Sequence, residues 1–145
     1  MKAVLDACAV VALLNDEPAS EHVAELISAG DVALTALGFA EVVDLLVRRG
    51  GGDADDVLLD LAEVDLSKPI PVDGVLAANG ALLRAAHYHR QRCTVSLADC
   101  IAAAAARDAG APLVTTDPDL LDVCEAEGIE VVALPDSTGA VWSPR

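Results

Sequence analysis

The chain has 145 residues, of which 54% are hydrophobic and only 2% aromatic, and its formal net charge is −15. This length predicts one domain over residues 1–145, and the high apolar content excludes an intrinsically disordered chain. The acidic balance is the opposite of that of a free nucleic-acid-binding protein, unless cations or a second chain reverse the charge locally.

Short β-rich runs alternate with longer helical patterns along the whole chain. The predicted elements are, in chain order, a strand (2–6), helices (10–18 and 18–30), a strand (31–36), helices (37–50 and 53–66), a short extended piece (67–72), helices (73–92 and 96–110), a strand (112–117), a helix (118–128) and a last strand (129–134). Ser96 and Asp99 stand at the spacing of a capping box, and Gly110 follows the same helix. Strands alternating with helices predict a parallel sheet covered on both faces.

The four cysteines, Cys8, Cys93, Cys100 and Cys124, lack the paired spacing of a zinc site. We expect Cys8 and Cys100, which stand in apolar runs, to act as small core residues. Asp6 interrupts the first apolar stretch, which therefore does not resemble a secretory leader, and no apolar run has the length of a membrane span. These features predict a soluble protein of the reducing cytoplasm.

Four acidic residues stand where the pattern otherwise favours burial. Asp6 ends the first strand and Asp117 ends "LVTTD", and ligands collect at the carboxyl ends of strands in parallel sheets. Asp99 lies in the first turn of an almost wholly apolar helix, and Glu41 lies among residues that favour burial. Each acid taken alone is also consistent with a helix cap or a solvated side chain.

Together, the four acids indicate a metal site. Several carboxylates share a partly buried cleft only when cations neutralise them, because desolvated like charges are costly. Ligation by carboxylate oxygen suits hard cations such as Mg²⁺ or Mn²⁺, with positions left for water and phosphate. This arrangement is typical of phosphodiester hydrolysis by a metal-activated water.

The motifs around these acids resemble those of the PIN-domain ribonucleases, specifically the VapC-type toxins of bacterial toxin–antitoxin pairs. In chain order they are "VLDACAVVALLNDEP" with Asp6, "LTALGFAEVVDLL" with Glu41, "SLADCIAAAAA" with Asp99 and "PLVTTDPDL" with Asp117. The resemblance covers nearly the whole chain at family-like separations. One departure is Cys8, which stands where the family often has Ser or Thr.

The resemblance implies a single PIN-like domain, a three-layer α/β/α sandwich with a five-stranded parallel sheet of order 3-2-1-4-5. It implies an endoribonuclease that depends on Mg²⁺ or Mn²⁺ and cleaves structured RNA such as tRNA or ribosomal RNA. The implied partner is a cognate VapB-like antitoxin, which occupies the acidic cleft. The implied assembly is a homodimer, or a heterotetramer or larger complex with antitoxin, in which DNA is contacted only through the antitoxin.

The resemblance also assigns roles to individual residues. Asp6 and Asp99 would bind the metal directly, and Glu41 and Asp117 would bind it directly or through water. Thr115 and Thr116 match the hydroxyls that the family places before its fourth acid, where they would hold a carboxylate or a water. A plain β-branched strand residue explains either threonine equally well.

Residues 84–92, "RAAHYHRQR", gather several of the few cations of the chain. This segment is a candidate RNA-contacting patch, with phosphates bound by cations and a base stacked on a ring. Its members would be Arg84, Tyr88, Arg90 and Arg92. A solvated helix end whose cations suit the helix dipole is the simpler alternative. His87 and His89 are two residues apart, so they do not share a helix face and make a poor metal pair.

Two other functions stay open on the sequence. One is a catalytically silent PIN-fold module that only binds protein, although the presence of all four acids argues against it. The other is a phosphatase-like phosphoryl-transfer enzyme, which would require a second Asp where Cys8 stands. A receiver domain would need a late lysine, and the only lysines, Lys2 and Lys68, are poorly placed.

Overall fold

Strands and helices alternate along residues 1–144, which are the residues that the computed structural model describes. Within them lie β1 (Ala3–Leu5), α1 (Ala7–Leu14), α2 (Ser20–Ser28), β2 (Val32–Ala33), α3 (Ala36–Asp44), α4 (Ala54–Glu63), α5 (Gly74–His87), α6 (Leu97–Ala109), β3 (Leu113–Thr115), α7 (Pro118–Glu127) and β4 (Val131–Ala133). Helix α3 continues into a π-helical turn, Leu45–Arg49. Each helix within these residues is too short or too polar to span a lipid bilayer.

The strands form one parallel sheet in the order β2-β1-β3-β4. Ala3 pairs with Val32 on one side of β1, and Val4 pairs with Leu113 on the other. The strand order therefore reverses between β1 and β3. Ligand-binding clefts of open α/β sheets form at such a switch point, outside the carboxyl ends of the strands. This edge of the sheet is where Asp6 and Asp117 follow their strands.

Apolar side chains bury both faces of the sheet. In β1, Ala3 and Leu5 face a core formed with helices α1 to α4. Val4, between them, faces a second core formed with α5, α6 and α7. This alternation follows from the two-residue period of a strand. The predicted three-layer α/β/α sandwich is confirmed.

The expected fifth strand is absent from the part of the chain that the structure describes. The extended piece around Ile70 does lie beside β2, where its N–H donates to Leu34 O and its carbonyl accepts from Ala36 N, both at 2.9 Å. Pro69 and Pro71 flank it, and proline has no N–H to donate to a ladder. Pairing therefore stops at a single bridge between Thr35 and Ile70. The missing strand is the edge strand of the predicted order 3-2-1-4-5, and the other four strands keep that order.

The helix predicted over residues 73–92 ends at His87. Beyond it the backbone turns back, and His89 and Cys93 exchange two hydrogen bonds of 2.7 and 2.9 Å. The N–H of Arg92 also donates to the ring Nδ1 of His89 at 3.2 Å. These local bonds compete with continuation of the helix, so the basic segment is divided between a helix end and a compact turn.

Helices α5 and α6 cross at a glycine. A Cβ built at Gly80 would lie 2.4 Å from Ile101 Cγ1 and 2.8 Å from Ile101 Cα. Only a residue without a side chain allows this approach, because real Cβ atoms do not come so close to backbone. Ile101 lies two residues after Asp99, so the crossing also fixes the position of the first turn of α6.

Candidate metal centre

Asp6 occupies the single position between β1 and α1, at the carboxyl edge of the sheet. Its backbone N–H donates to Val114 O at 2.9 Å, which fixes it to the neighbouring strand. The residue is only 4% exposed, and its side chain makes no capping bond to α1. Instead, Oδ2 accepts hydrogen bonds from Thr115 Oγ1 at 2.9 Å and Cys8 Sγ at 3.0 Å. Asp6 therefore does more than begin a helix.

Asp99 lies in the first turn of α6 and completes the predicted capping box. Ser96 N donates to Asp99 Oδ2 at 2.6 Å, and Asp99 N donates to Ser96 Oγ at 3.1 Å. The helix behind it is buried from Ala102 to Ala106. Core packing holds helix α6, and the capping box holds the Asp99 side chain. Asp99 therefore has a fixed orientation at the carboxyl edge of the sheet. The capping role is compatible with the ligand role that the resemblance implies.

Glu41 reaches the same place from α3. Each of Asp6, Glu41 and Asp99 offers a carboxylate oxygen, and the three oxygens lie within 4.8 Å of one another. Helix α3 is held at its start by Thr35, whose hydroxyl accepts from Gly38 N at 3.0 Å. The acids come from three separate elements that are distant in sequence. The three carboxylates therefore come together only through the tertiary fold.

Mutual repulsion and burial perturb these acids. Burial, followed by the charge of Asp99, raises the pKa of Asp6 from 3.8 to about 6. Burial also raises the pKa of Glu41 from 4.5 to about 7, with further contributions from the charges of Asp99, Asp6 and Asp44. Both shifts show that the protein alone does not neutralise the cluster.

The metal-free protein is expected to lose stability as the pH rises from the ordinary values of 3.8 and 4.5 to the raised pKa values of about 6 and about 7. In this window the folded state binds protons more tightly than the unfolded chain, so each increase in pH favours unfolding. Thermal unfolding in EDTA across the window measures the slope. Glu41→Gln removes one of the two groups and should flatten it. An unchanged slope in that variant would contradict the assignment.

Asp117 stands at the rim, outside the group of three. Its Oδ1 accepts from Asp119 N at 2.9 Å, so it caps α7, as one alternative predicted. Burial, followed by the charge of Asp99, nevertheless raises the pKa of Asp117. The side chain therefore lies close enough to the cluster for charges to interact. The structure brings three of the four predicted acids together and leaves Asp117 beside them.

A hydroxyl and a thiol connect the ends of β1 and β3. Besides donating to Asp6, Thr115 Oγ1 accepts from Asp117 N at 3.1 Å and lies 3.2 Å from Cys8 Sγ. Thr116 contributes its backbone N–H, which donates to Cys8 Sγ at 3.4 Å. Thr115 therefore holds the Asp6 carboxylate through its hydroxyl.

Cys8, expected to act as a small core residue, is only partly buried, and its thiol donates to a cluster acid. Burial and the charge of Asp6 raise the pKa of the Cys8 thiol, so it stays protonated and can donate. Its position two residues after Asp6, where the family often has a hydroxyl, is the feature of the sequence that indicates this role. Cys100, in contrast, is fully buried as expected.

Cys8→Ser should preserve activity within a few-fold, whereas Cys8→Ala should lower activity or metal affinity by roughly 10–100-fold. Serine keeps a donor to Asp6 Oδ2, and alanine removes it. Metal-dependent RNA cleavage and Mn²⁺ titration would be compared for both variants, with the melting temperature as a folding control. An alanine variant that matches the parent would show that Thr115 alone orients Asp6.

The predicted RNA-contacting residues occupy different environments. Arg84, on α5, donates from Nε to Val95 O at 3.0 Å, and its guanidinium lies 4.1 Å from the ring centroid of Tyr88. Tyr88 caps α5, with 44% of its surface exposed. Arg90 and Arg92 are exposed in the turn that follows. The four residues therefore do not form one helix face.

The donor set fits a hard divalent cation. All three converging ligands are carboxylates, which match Mg²⁺ and Mn²⁺ rather than a thiophilic metal. The raised pKa values are the response expected of clustered acids without a counter-charge, and a cation would supply that charge. The cluster can therefore hold a metal ion.

Comparisons with known proteins agree with this geometry. Residues 3–126 match the model of the PIN domain family. Ribonuclease VapC30 of Mycobacterium tuberculosis is 31% identical over 136 residues, which covers 91% of this chain and 99% of that protein. Among solved structures, one similar fold is that of VapC20 of Mycobacterium tuberculosis, described as a sarcin–ricin loop cleaving toxin. The TM-score is 0.64 at 20% identity, and the match covers 88% of this chain and 96% of that one. A toxin–antitoxin complex from Klebsiella pneumoniae gives a TM-score of 0.58 at 16% identity, covering 80% of this chain and 87% of that one.

Proposed function

The chain belongs to the PIN domain family, and on that premise we propose that it is a metal-dependent endoribonuclease, the toxin of a toxin–antitoxin pair. One observation carries the proposal: Asp6, Glu41 and Asp99 converge at the switch point of the sheet. The ribonuclease name of a relative that aligns along nearly its whole length supports the reaction class. A phosphatase-like enzyme has no comparable support.

Within this proposal the acids hold Mg²⁺ or Mn²⁺. Asp6 and Asp99, whose side chains are fixed by hydrogen bonds, would bind it directly. Glu41 and Asp117 would complete the site directly or through water. Thr115 and Cys8 orient Asp6 by bonding its Oδ2. When bound, the ion would supply a more acidic, better oriented water and positive charge for the phosphate oxygens.

The surroundings of the acids fit a phosphodiester substrate. Negative groups cannot enter a cleft of three uncompensated carboxylates, so substrate access depends on the cation. The rigid positions at the end of β1 and the start of α6 limit reorganisation when the scissile phosphate arrives. We propose structured RNA, such as tRNA or ribosomal RNA, as the substrate class. The structural likeness to VapC20, a sarcin–ricin loop cleaving toxin, supports this choice.

The proposed partner is a VapB-like antitoxin. The toxin–antitoxin complex among the structural neighbours supports this class of partner. The net charge of −15 favours association with a basic chain. An arginine or lysine inserted among the three acids would compensate their charge in place of the metal. We propose a homodimer as the basic toxin assembly, with larger complexes when antitoxin is bound.

The deciding experiment is an RNA cleavage assay with purified, antitoxin-free protein. Total tRNA and ribosomal RNA would be incubated in Mg²⁺, Mn²⁺ or EDTA, and fragments resolved at single-nucleotide resolution. Discrete fragments that require metal would support the proposal. Folded, metal-binding protein that leaves both pools intact would favour a catalytically silent binding module instead.

A further inference from the structure

Four of the nine lysines and arginines, Lys2, Arg48, Arg84 and Arg107, are engaged within the protein. Arg48 pairs with Asp44 at 2.7 Å, and Arg107 lies 3.8 Å from Glu127. Lys2 donates to a backbone carbonyl at 2.7 Å. In contrast, the side chains of Arg90 and Arg92 are exposed and make neither an ion pair nor a hydrogen bond to any residue in 1–144. They are therefore free to bind an external anion.

Arg90 and Arg92 stand on a turn that is held at both ends. The paired His89 and Cys93 close it, and the His89 ring accepts from the N–H groups of Gln91 and Arg92, each at 3.2 Å. Arginines on an ordered backbone bind phosphate with a smaller entropic cost than arginines on a mobile tail. The turn therefore presents Arg90 and Arg92 on an ordered backbone.

The turn is attached to the rim of the metal centre. Thr94, which follows it, donates from its N–H at 2.8 Å and its hydroxyl at 3.2 Å to Asp119 Oδ2. The N–H of Asp119 in turn donates to Asp117 Oδ1. Burial raises the pKa of the Cys93 thiol, and the charges of Asp119 and Asp117 raise it further. The hydrogen bonds place the turn next to Asp117, at the rim of the acid cluster.

Tyr88 adds an aromatic surface beside these cations. It is the only tyrosine of the chain, and 44% of its surface is exposed at the end of α5. The guanidinium of Arg84 lies 4.1 Å from its ring centroid and Arg84 is itself bonded to Val95 O, so the ring is supported from one side. Proteins bind unpaired nucleotides with this combination, in which a base stacks on an exposed aromatic ring and the phosphates contact nearby cations.

We propose that Tyr88, Arg90 and Arg92 form a docking surface for unpaired RNA next to the scissile phosphate. The arginines bind the phosphates of the flanking nucleotides, and Tyr88 stacks on one base. The inference rests on the proposed ribonuclease function and adds to it how an acidic protein of net charge −15 retains RNA. Asp119 acts as a positioning residue that fixes this surface relative to the acids.

The test compares two double variants with the same change of net charge. Arg90→Gln with Arg92→Gln removes the surface, and Arg49→Gln with Lys68→Gln removes two exposed cations elsewhere. Binding of a fluorescein-labelled single-stranded oligouridylate would be followed by anisotropy in Mg²⁺ at several salt concentrations, and the oligonucleotide would be checked for cleavage afterwards. We expect at least roughly tenfold weaker binding and a shallower salt dependence for the first pair only.

Tyr88 is tested separately with Phe and Leu. Tyr88→Phe should bind like the parent, and Tyr88→Leu should bind roughly tenfold more weakly, because only the ring provides stacking. Equal binding by parent and both double variants, with metal-dependent RNA cleavage intact, would overturn the docking surface alone. A parent that neither binds nor cleaves RNA would overturn the function as well. Altered sedimentation with unchanged RNA binding would assign the turn to a protein interface instead.

Discussion

Asp99→Asn is expected to reduce metal-dependent RNA cleavage by at least about a hundredfold, because metal-ion stabilisation of the transition state is worth several kcal/mol. The same variant should not lose stability. The charge of Asp99 contributes to the raised pKa of Asp6, Glu41 and Asp117 alike. Removing that charge relieves repulsion, and the Asn carboxamide oxygen can still accept from Ser96 N in the capping box.

The two expected effects have opposite signs, which makes the prediction specific. In EDTA the melting temperature of Asp99→Asn should equal or exceed that of the parent, by roughly 2–4 °C for each kcal/mol of repulsion removed. Cleavage would be measured on the same samples in Mn²⁺. A residue whose role is purely structural would lose stability and activity together.

Asp53→Asn is the matched control. Asp53 is exposed at the start of α4, and its Oδ1 accepts from Asp55 N at 2.9 Å, so it caps a helix without joining the cluster. This variant should cleave like the parent. Cleavage by Asp99→Asn at the parental rate would remove Asp99 from the site. Loss of activity in both variants would point to a general requirement for capped helices.

The sequence was most informative where an acid contradicts its surroundings. Asp6, Glu41 and Asp99 each interrupt an apolar pattern, and the structure places their oxygens together. An acid at a position that the hydrophobic pattern assigns to the interior stands out, because a buried carboxylate is costly unless a counter-charge or hydrogen bonds compensate it. The parallel sheet and its two covered faces follow from the same periodicity, since strands and helices alternate along the chain.

The remaining features depend on side-chain hydrogen bonds, most of them local, that hydrophobic periodicity does not encode. Asp117 follows its strand as Asp6 does, yet it turns to cap α7, because Asp119 N lies within 2.9 Å of its Oδ1. The basic segment retains helical residue types to its end, but His89 accepts backbone N–H groups and the chain turns. Cys8 resembles a core residue in sequence, but its thiol donates to Asp6 two residues before it and lies against Thr115 of β3.

Gly80→Ala is expected to destabilise the protein by about 2–3 kcal/mol, in the upper part of the range for an overpacked core. Alanine is favoured over glycine within a helix by about 1 kcal/mol, so the intrinsic preference acts in the other direction. Steric conflict prevails because the new Cβ would lie 2.8 Å from Ile101 Cα and 2.9 Å from Ile101 N. These are backbone atoms, and relief requires α5 and α6 to separate.

Gly74→Ala provides the comparison on the same helix, because a Cβ at Gly74 would meet nothing within 4 Å. It should leave stability unchanged or raise it, whereas Gly80→Ala should lower the midpoint of chemical denaturation without changing the m-value. Separation of α5 from α6 also displaces Asp99, so Gly80→Ala should weaken Mn²⁺ binding in protein that is still folded. Equal stability of the two variants would show that the crossing adapts readily. Lower stability with unchanged Mn²⁺ affinity would show that the capping box alone positions Asp99.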